Sequence, residues 1–480
     1  MAYNFVPCHR DQPFLMPPSL DEWLPKDHLA RFVIAVVDTL DLSAFYARRR
    51  ADGWGRAAHD PKMMVALLIY AYATGARSSR LIERRCVEDV AFRFITTNEA
   101  LDHATIARFA QVHEQELADS TRCSAWPPSA GWSVWGSWPS TPPASRPTPR
   151  PGPTAARTGS GPEVERIIKE ARATDEEEED RRQGESSDSD IPEDLVEPQT
   201  RLERLLAAKA RLEAEQQRRQ AAYEAKVATR EEYKRRTGKG MRGRKPKPPV
   251  ERARDRRHTT LANTTDPDSR ILSTASGGFL QGFTAQAIAT ENQVTIACEV
   301  TADPTDFAQL QPMVEQAVRN LAKAGVRKRV GVVADAGYLS DDNLGLEHDL
   351  GVELLIATKN REHTDNAPPP RGRLPKGLSR TKRMERKLRT KRGRRLYRRR
   401  GGSIEPVFGH QRQRGAGRFR RRGLRACNCE WRFEQTVHNL LKIRTSGKWS
   451  PLGRRPSPTS TSRNSSFRST RLLLCRQSCH

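Results

Sequence analysis

A short apolar run that stops on an acid constrains this chain more than any other feature: Val330-Gly331-Val332-Val333-Ala334-Asp335, followed by Ala336-Gly337-Tyr338. A run of that length, closed by a turn, reads as a buried strand. Such a strand needs a sheet covered by helices, which sets the fold class as α/β. It also delivers one carboxylate to the edge of that sheet. A second acid, Glu405, stands in the arginine-dense stretch LYRRRGGSIEPVFG. Carboxylates on rigid elements, surrounded by cations, point to a divalent-metal site that works on phosphate. Taken singly, each acid has a plainer role: Asp335 as the cap of the next turn, Glu405 as a neutralising charge on a solvated face. Two acids also fall short of the set that holds two ions roughly 4 Å apart, so a third is required.

Charge narrows the partner. The 480 residues hold 84 Lys+Arg against 58 Asp+Glu, a formal charge of +26, and the pI is near 10.2. That surplus favours a polyanion, with nucleic acid ahead of an anionic membrane. No apolar run approaches the roughly 20 residues that span a bilayer. The N-terminal MAYNFVPCHRDQPFLMPPSL lacks the pattern of a signal peptide. The expected location is cytoplasmic. No RNP-type aromatic strand or other RNA module is present, which leaves RNA as the weaker partner. The cysteine pairs Cys427/Cys429 and Cys475/Cys479 lack partners at zinc-finger spacing and read as free thiols.

Five regions follow along the chain. Residues 13–116 read as a helical domain: Ser19 caps a first helical stretch in which Leu29, Phe32, Val33, Val36 and Val37 share a face. A second helix starts at Asp60-Pro61 and ends at Gly75. A third carries Leu81, Ile82, Cys86, Val90 and Phe94 inward, and DHATIARFAQVHEQEL supplies a fourth. Residues 117–162 differ in kind. They are dense in Pro and Ser, hold Trp126, Trp132, Trp135 and Trp138, and show no helical or strand period. Residues 163–250 form a charged helical arm with a basic linker. Residues 251–443 carry the α/β core, and the Ser/Arg/Pro-rich tail 444–480 reads as unstructured.

Within the core, Phe279 to Ile288 and Val294 to Val300 alternate as a hairpin with TEN at its turn. A helix runs from Asp306 through Leu321 to Gly325. The strand ending on Asp335, a helix from about Ser340 and a strand at 352–358 complete a mixed sheet. A basic region at 361–426 leads into an amphipathic closing helix at 424–443, with Trp431, Phe433, Val437, Leu440 and Leu441.

Seven stretches give the chain a family likeness: FRFITTNEALDHATIARF, TDPDSRIL, GGFLQGFTAQAIATENQVTIACEVT, DFAQLQPM, VVADAGYLSDDNL, YRRRGGSIEPVFG and RFRRRGLRACNCEW. In order and wording the chain resembles the DDE-type transposases of bacterial insertion sequences, the group with an InsH-like helical N-terminal domain. The resemblance implies an RNase H-like mixed-sheet core with a helical insertion arm. It implies cleavage of duplex DNA at transposon ends and strand transfer into target DNA, dependent on Mg²⁺ with Mn²⁺ as a substitute. The partners it implies are transposon-end and target DNA, and a homo-oligomer when active, in the bacterial cytoplasm at the nucleoid.

Asp335 matches the family's second catalytic Asp and Glu405 its catalytic Glu, both metal ligands. Tyr397, Arg400 and Arg412 stand near the family's DNA-contacting Tyr, Arg and following basic residue. The first catalytic Asp has no counterpart, because the Trp/Pro/Ser segment occupies its place. Asp266 and Asp268 match a different stretch. The segment from about 119 to 162 has the vocabulary of out-of-frame translation, as does the tail. The expectation is therefore little or no strand transfer, or a catalytically dead protein that still docks on DNA.

Overall fold

The computed structural model describes residues 19–47, 58–119, 155–157, 201–241, 243, 245, 246, 248, 261–263, 266–273, 279–303, 305–326, 330–358, 368–375, 377–446 and 470–479. The charged helix expected at 163–182 and nearly all of the Trp/Pro/Ser segment lie outside these residues.

The N-terminal region is helical, as expected, but more finely divided. The first stretch breaks into α1 (Leu20–Trp23) and α2 (Leu29–Val37). Pro25 is the cause: it drives the residue before it out of the helical region, and Leu24 is extended at φ −104°, ψ 118°. After α3 (Ser43–Ala47) comes α4 (Pro61–Ala73), where the Asp60 carboxylate accepts from the Lys62 N–H and Pro61 takes the first turn. Every residue of α4 from Met64 to Ala71 is buried, so this helix is the centre of the domain. The third predicted helix is two, α5 (Ser79–Glu88) and α6 (Val90–Ile95). Asp89 caps the second, accepting from the Ala91 N–H. That restart rotates the inward face, so Ala91, Phe92 and Ile95 are buried where Val90 and Phe94 were expected. Then come α7 (His103–Val112) and α8 (Glu114–Asp119). A long arm helix follows, α9 (Arg201–Thr237).

The core is a mixed sheet. Its strands are β3 (Arg270–Ser273), β4 (Phe279–Ala289), β5 (Thr295–Thr301), β6 (Val330–Ala334), β7 (Glu353–Ile356) and β8 (Thr470–Cys479). The order is β3-β4-β8-β6-β7, with β5 also on β4. Strands β3, β5 and β8 run antiparallel to β4, while β7 and β8 run parallel to β6. A separate pair joins β1 (Ala155–Arg157) to β2 (Leu261–Asn263). Two expectations are corrected here. The tail was read as unstructured, yet Thr470–Cys479 is a strand inside the sheet. The segment 117–162 was read as having no regular structure, yet it supplies Ala155–Arg157. In each case a partner strand provides the backbone hydrogen bonds that local sequence does not signal.

Helix α10 (Leu310–Lys323) covers the sheet with Leu310, Met313, Val314, Ala317 and Leu321. Helices α11 (Asp341–Asp349), α12 (Arg380–Arg389) and α13 (Lys391–Arg398) follow. α12 buries Met384 and Leu388, and Lys387 Nζ donates to Glu347 and to the Leu354 carbonyl. A turn later α14 (Gly401–Gln413) begins.

The closing helix α15 (Leu424–Ser446) belongs to both regions. Phe433, Val437, Leu440 and Ile443 join the core of the helical domain. Cys427 and Trp431 join Phe283, Ala285, Val407 and Phe408 under the sheet. Between the two lies a buried ion network. Arg77, just after α4, donates to Glu430 at 2.7 Å and to the Gly415 carbonyl at 2.8 Å. Arg414 donates to Glu434 at 3.1 Å, and Arg77 Nε lies 3.9 Å from Glu434. Burial pushes both carboxyls above their ordinary value, against the pull of Arg77.

Candidate active site

Strand β6 is flanked by β8 and β7, and Val332, Val333 and Ala334 are buried. Asp335 therefore emerges from the interior of the sheet, with its backbone fixed on both sides. The plainer reading of Asp335 as a helix cap fails. The following 3₁₀ turn Ala336–Tyr338 receives no hydrogen bond from its side chain. The carboxylate instead forms an ion pair with Arg400.

Each letter of the Asp-Ala-Gly-Tyr turn has a structural reason. A Cβ on Gly337 would meet Asp306 Oδ2 at 2.6 Å, so only glycine lets Asp306 pass this close. Tyr338 is buried, and its hydroxyl donates to Gln286 Oε1 on β4. Gln286 Nε2 in turn donates to Asp306 at 3.1 Å. The turn behind Asp335 is thus tied to β4 and to the start of α10.

Arg400 sits at the junction of α13 and α14, with only 4 % of its surface exposed. Its guanidinium lies 5.0 Å from the centre of the Tyr397 ring, a cation–π contact. Tyr397 is buried as well. Gly393 lets α13 press on the end of α12, since a Cβ there would meet the Lys387 carbonyl at 2.1 Å.

Glu405 lies in the second turn of α14. Burial raises its pKa, and Arg400 opposes that shift. Its Oε1 is buried and has no hydrogen-bond partner among the described residues. Asp335, Tyr397, Arg400 and Glu405 therefore form one cluster around the Arg400 guanidinium. Arg412 does not join them. It is exposed, two turns further along α14 and about 10 Å from Glu405 along the axis.

The sequence reading missed the residue that holds α14 in place. Pro406 lies inside this helix and has no N–H, which frees the carbonyl of Gly402. Gln293 Nε2 donates to that carbonyl at 2.7 Å. Gln293 sits in the β4–β5 turn at φ +62°, a left-handed conformation that costs a non-glycine residue about 1 kcal/mol. Its own carbonyl accepts from His438 Nε2 at 2.7 Å, and its Oε1 accepts from Lys442 at 2.5 Å. The signal for this clamp was present as a proline directly after the glutamate, which must orphan a carbonyl.

Asp266 and Asp268 serve elsewhere. They accept from the N–H groups of Gly423 at 3.2 Å and Leu424 at 3.0 Å, capping α15. Burial pushes the Asp266 carboxyl up.

These residues do not fit a two-metal centre. Asp335 and Glu405 supply two carboxylates, and Asp335 is already paired with an arginine. Among the described residues, the one group of three metal-ligating side chains with donor atoms within 4.8 Å of one another is Glu83, Asp102 and His103, in the helical domain.

Two family models match the chain. A transposase domain (DUF772) matches residues 18–112, which include helices α1 to α7. A transposase DDE domain matches residues 375–444, which includes Tyr397, Arg400, Glu405 and Arg412 and begins after Asp335. No curated protein and no solved structure matches. No helix among the described residues is long and apolar enough to cross a membrane. The two matched segments are the ones that α15 and the Arg77 network lock together, and over both of them the chain is similar to transposases, the second match being to a DDE domain.

Proposed function

We propose that this chain binds duplex DNA at insertion-sequence ends through a basic surface on α12 and α13, over an RNase H-like core whose catalytic set is incomplete. Exposed cations support the binding surface: Arg380, Lys382 and Arg383 on α12, and Lys391, Arg395 and Arg398 on α13. They lie along the stretch that leads directly to Arg400. In this reading Asp335 and Glu405 are the second and third acids of a Mg²⁺- or Mn²⁺-dependent strand-transfer site, Arg412 contacts the duplex, and Tyr397 and Arg400, buried beside Asp335, reach a DNA phosphate when Arg400 releases that carboxylate.

The observation that carries the reading is the acid count at that cluster. Two carboxylates share one arginine, and no third metal-ligating side chain stands with them among the described residues. Two-metal phosphoryl transfer requires bridging carboxylates to place both ions, so loss of one removes catalysis by orders of magnitude. DNA binding rests on cations and survives that loss.

Fluorescence anisotropy on a labelled 30-base-pair duplex, titrated from low to moderate salt, tests the binding half. The expected result is affinity that falls steeply with salt, with a slope set by the number of phosphates contacted. Neutralising Arg395 and Arg398 together should flatten the slope by about two. Binding that ignores both salt and these substitutions would remove the DNA reading.

A further inference from the structure

The sheet is joined at its centre by a strand that is remote in sequence. β8 pairs with β4 over Phe283–Ala289 and with β6 over Val330–Ala334. No other described strand bridges β4 and β6. Neighbouring strands lie about 4.8 Å apart, so without β8 a gap of roughly 10 Å would separate the β3-β4-β5 half from the β6-β7 half. With β8 in place both rims are buried: Ala285, Ala287, Ile288 and Ala289 on β4 are fully buried, and Val332, Val333 and Ala334 on β6 are at most 2 % exposed. Without β8 the backbone N–H and C=O groups along both rims would lose their ladder partners and the apolar side chains beside them would meet water.

We propose that Thr470–Cys479 is a strand donor: it fills in cis a central slot that the rest of the chain leaves open, and the sheet closes only when it is in place. The 447–469 stretch between α15 and β8 spans up to about 75 Å when extended, ample for the return to the sheet centre. The donated sequence TRLLLCRQSC is apolar in its middle and holds no acid. The parallel register sets Ala334 opposite Leu474, so the position beside Asp335 is Cys475. The strand therefore completes the fold while bringing no carboxylate to the cluster. This inference concerns the sheet alone and stands whether or not the chain binds DNA.

The register offers a direct test. Ala287 stands opposite Cys475 on one side and Cys298 on the other. In a Cys298→Ser background, Ala287→Cys puts a thiol opposite Cys475 at a Cα separation of about 4.5–5.5 Å, within disulfide reach. Mild oxidation of the full chain, followed by proteolysis and mass spectrometry, should find position 287 linked to Cys475 within a monomer. A link between two copies, or none to Cys475, would overturn the proposal. Leu473→Pro in the full chain gives an independent reading, because proline removes a ladder N–H from the middle of β8. Hydrogen exchange at the Ala285–Ala289 and Val332–Ala334 amides should then quicken by about tenfold or more. Unchanged exchange at those amides would show that the sheet closes without the strand.

Discussion

Two of the arginine–carboxylate clusters among the described residues are built to opposite ends. At the joint between the helical domain and the core, Arg77 and Arg414 face Glu430 and Glu434, two cations to two acids. Glu430 also accepts from the N–H groups of Arg420 and Arg421. At the candidate site, Arg400 pairs with Asp335 and acts on Glu405, and Glu405 Oε1 has no hydrogen-bond partner among the described residues. The first cluster balances its charge and serves as a fixed joint. The second leaves a glutamate oxygen buried without a hydrogen bond among the described residues, near a strand end, which costs stability.

Breaking the joint should have the largest effect. Arg77→Met leaves Glu430 and Glu434 buried with one fewer cation, and should cost about 3–5 kcal/mol in chemical denaturation. A loss under about 1 kcal/mol would show that the joint is dispensable.

Next in size is an acid sensitivity carried by His438, which links α15 to the site's clamp. Burial holds its pKa down at about 3, against an ordinary 6.5. Its contribution is present above pH 6.5 and is lost as pH falls toward 3, since the unfolded chain takes up the proton first. The loss reaches about 2 kcal/mol by pH 5, at roughly 1.36 kcal/mol per unit. His438→Gln keeps a donor for the Gln293 carbonyl and should flatten that part of the stability–pH curve. An unchanged slope would assign the acid sensitivity to other groups.

Gln293→Ala removes the side-chain bonds to Gly402 and Lys442 and should cost about 1–2 kcal/mol, read as a lower melting temperature. Exchange should quicken first at the start of α14. Equal loosening across the whole core would argue against a local clamp.

Glu405→Gln should have the smallest effect, and of the opposite sign to the joint. Raised by burial, Glu405 contributes stability below its ordinary value of 4.5 that is lost as pH rises through its folded value. The variant and the parent should match at low pH, and the variant should pull ahead as pH rises past 4.5. A variant less stable than the parent at neutral pH would place Glu405 with the joint's glutamates as a structural acid.

How much of this was legible follows the range of each signal. The strand ending at Asp335 and the glycine turn behind it could be read from a dozen residues, because burial and turn chemistry are local. Glu405 was legible from its motif. Gln293 was not, since a glutamine in a turn carries no pattern; only Pro406 hinted that a carbonyl needed a partner. Arg77 and Glu430 are more than 350 residues apart in the chain, and nothing local in either predicts the other. The tail strand was unreadable for the same reason. TRLLLC is apolar enough for a strand, but its partners are β4 and β6, far upstream. Asp266 and Asp268 show the converse case, acids near the core whose work is capping α15.

The proposed function pairs a DNA-docking surface with too few carboxylates, among the described residues, for strand cleavage. The most direct measurement incubates supercoiled donor plasmid carrying the element's ends with the purified chain, in Mg²⁺ and separately in Mn²⁺, and follows nicking and binding on the same sample. The expected result is a salt-sensitive complex on plasmid that stays supercoiled. Robust nicking that Asp335→Asn and Glu405→Gln abolish would contradict it, and would mean that a third carboxylate reaches the cluster after all.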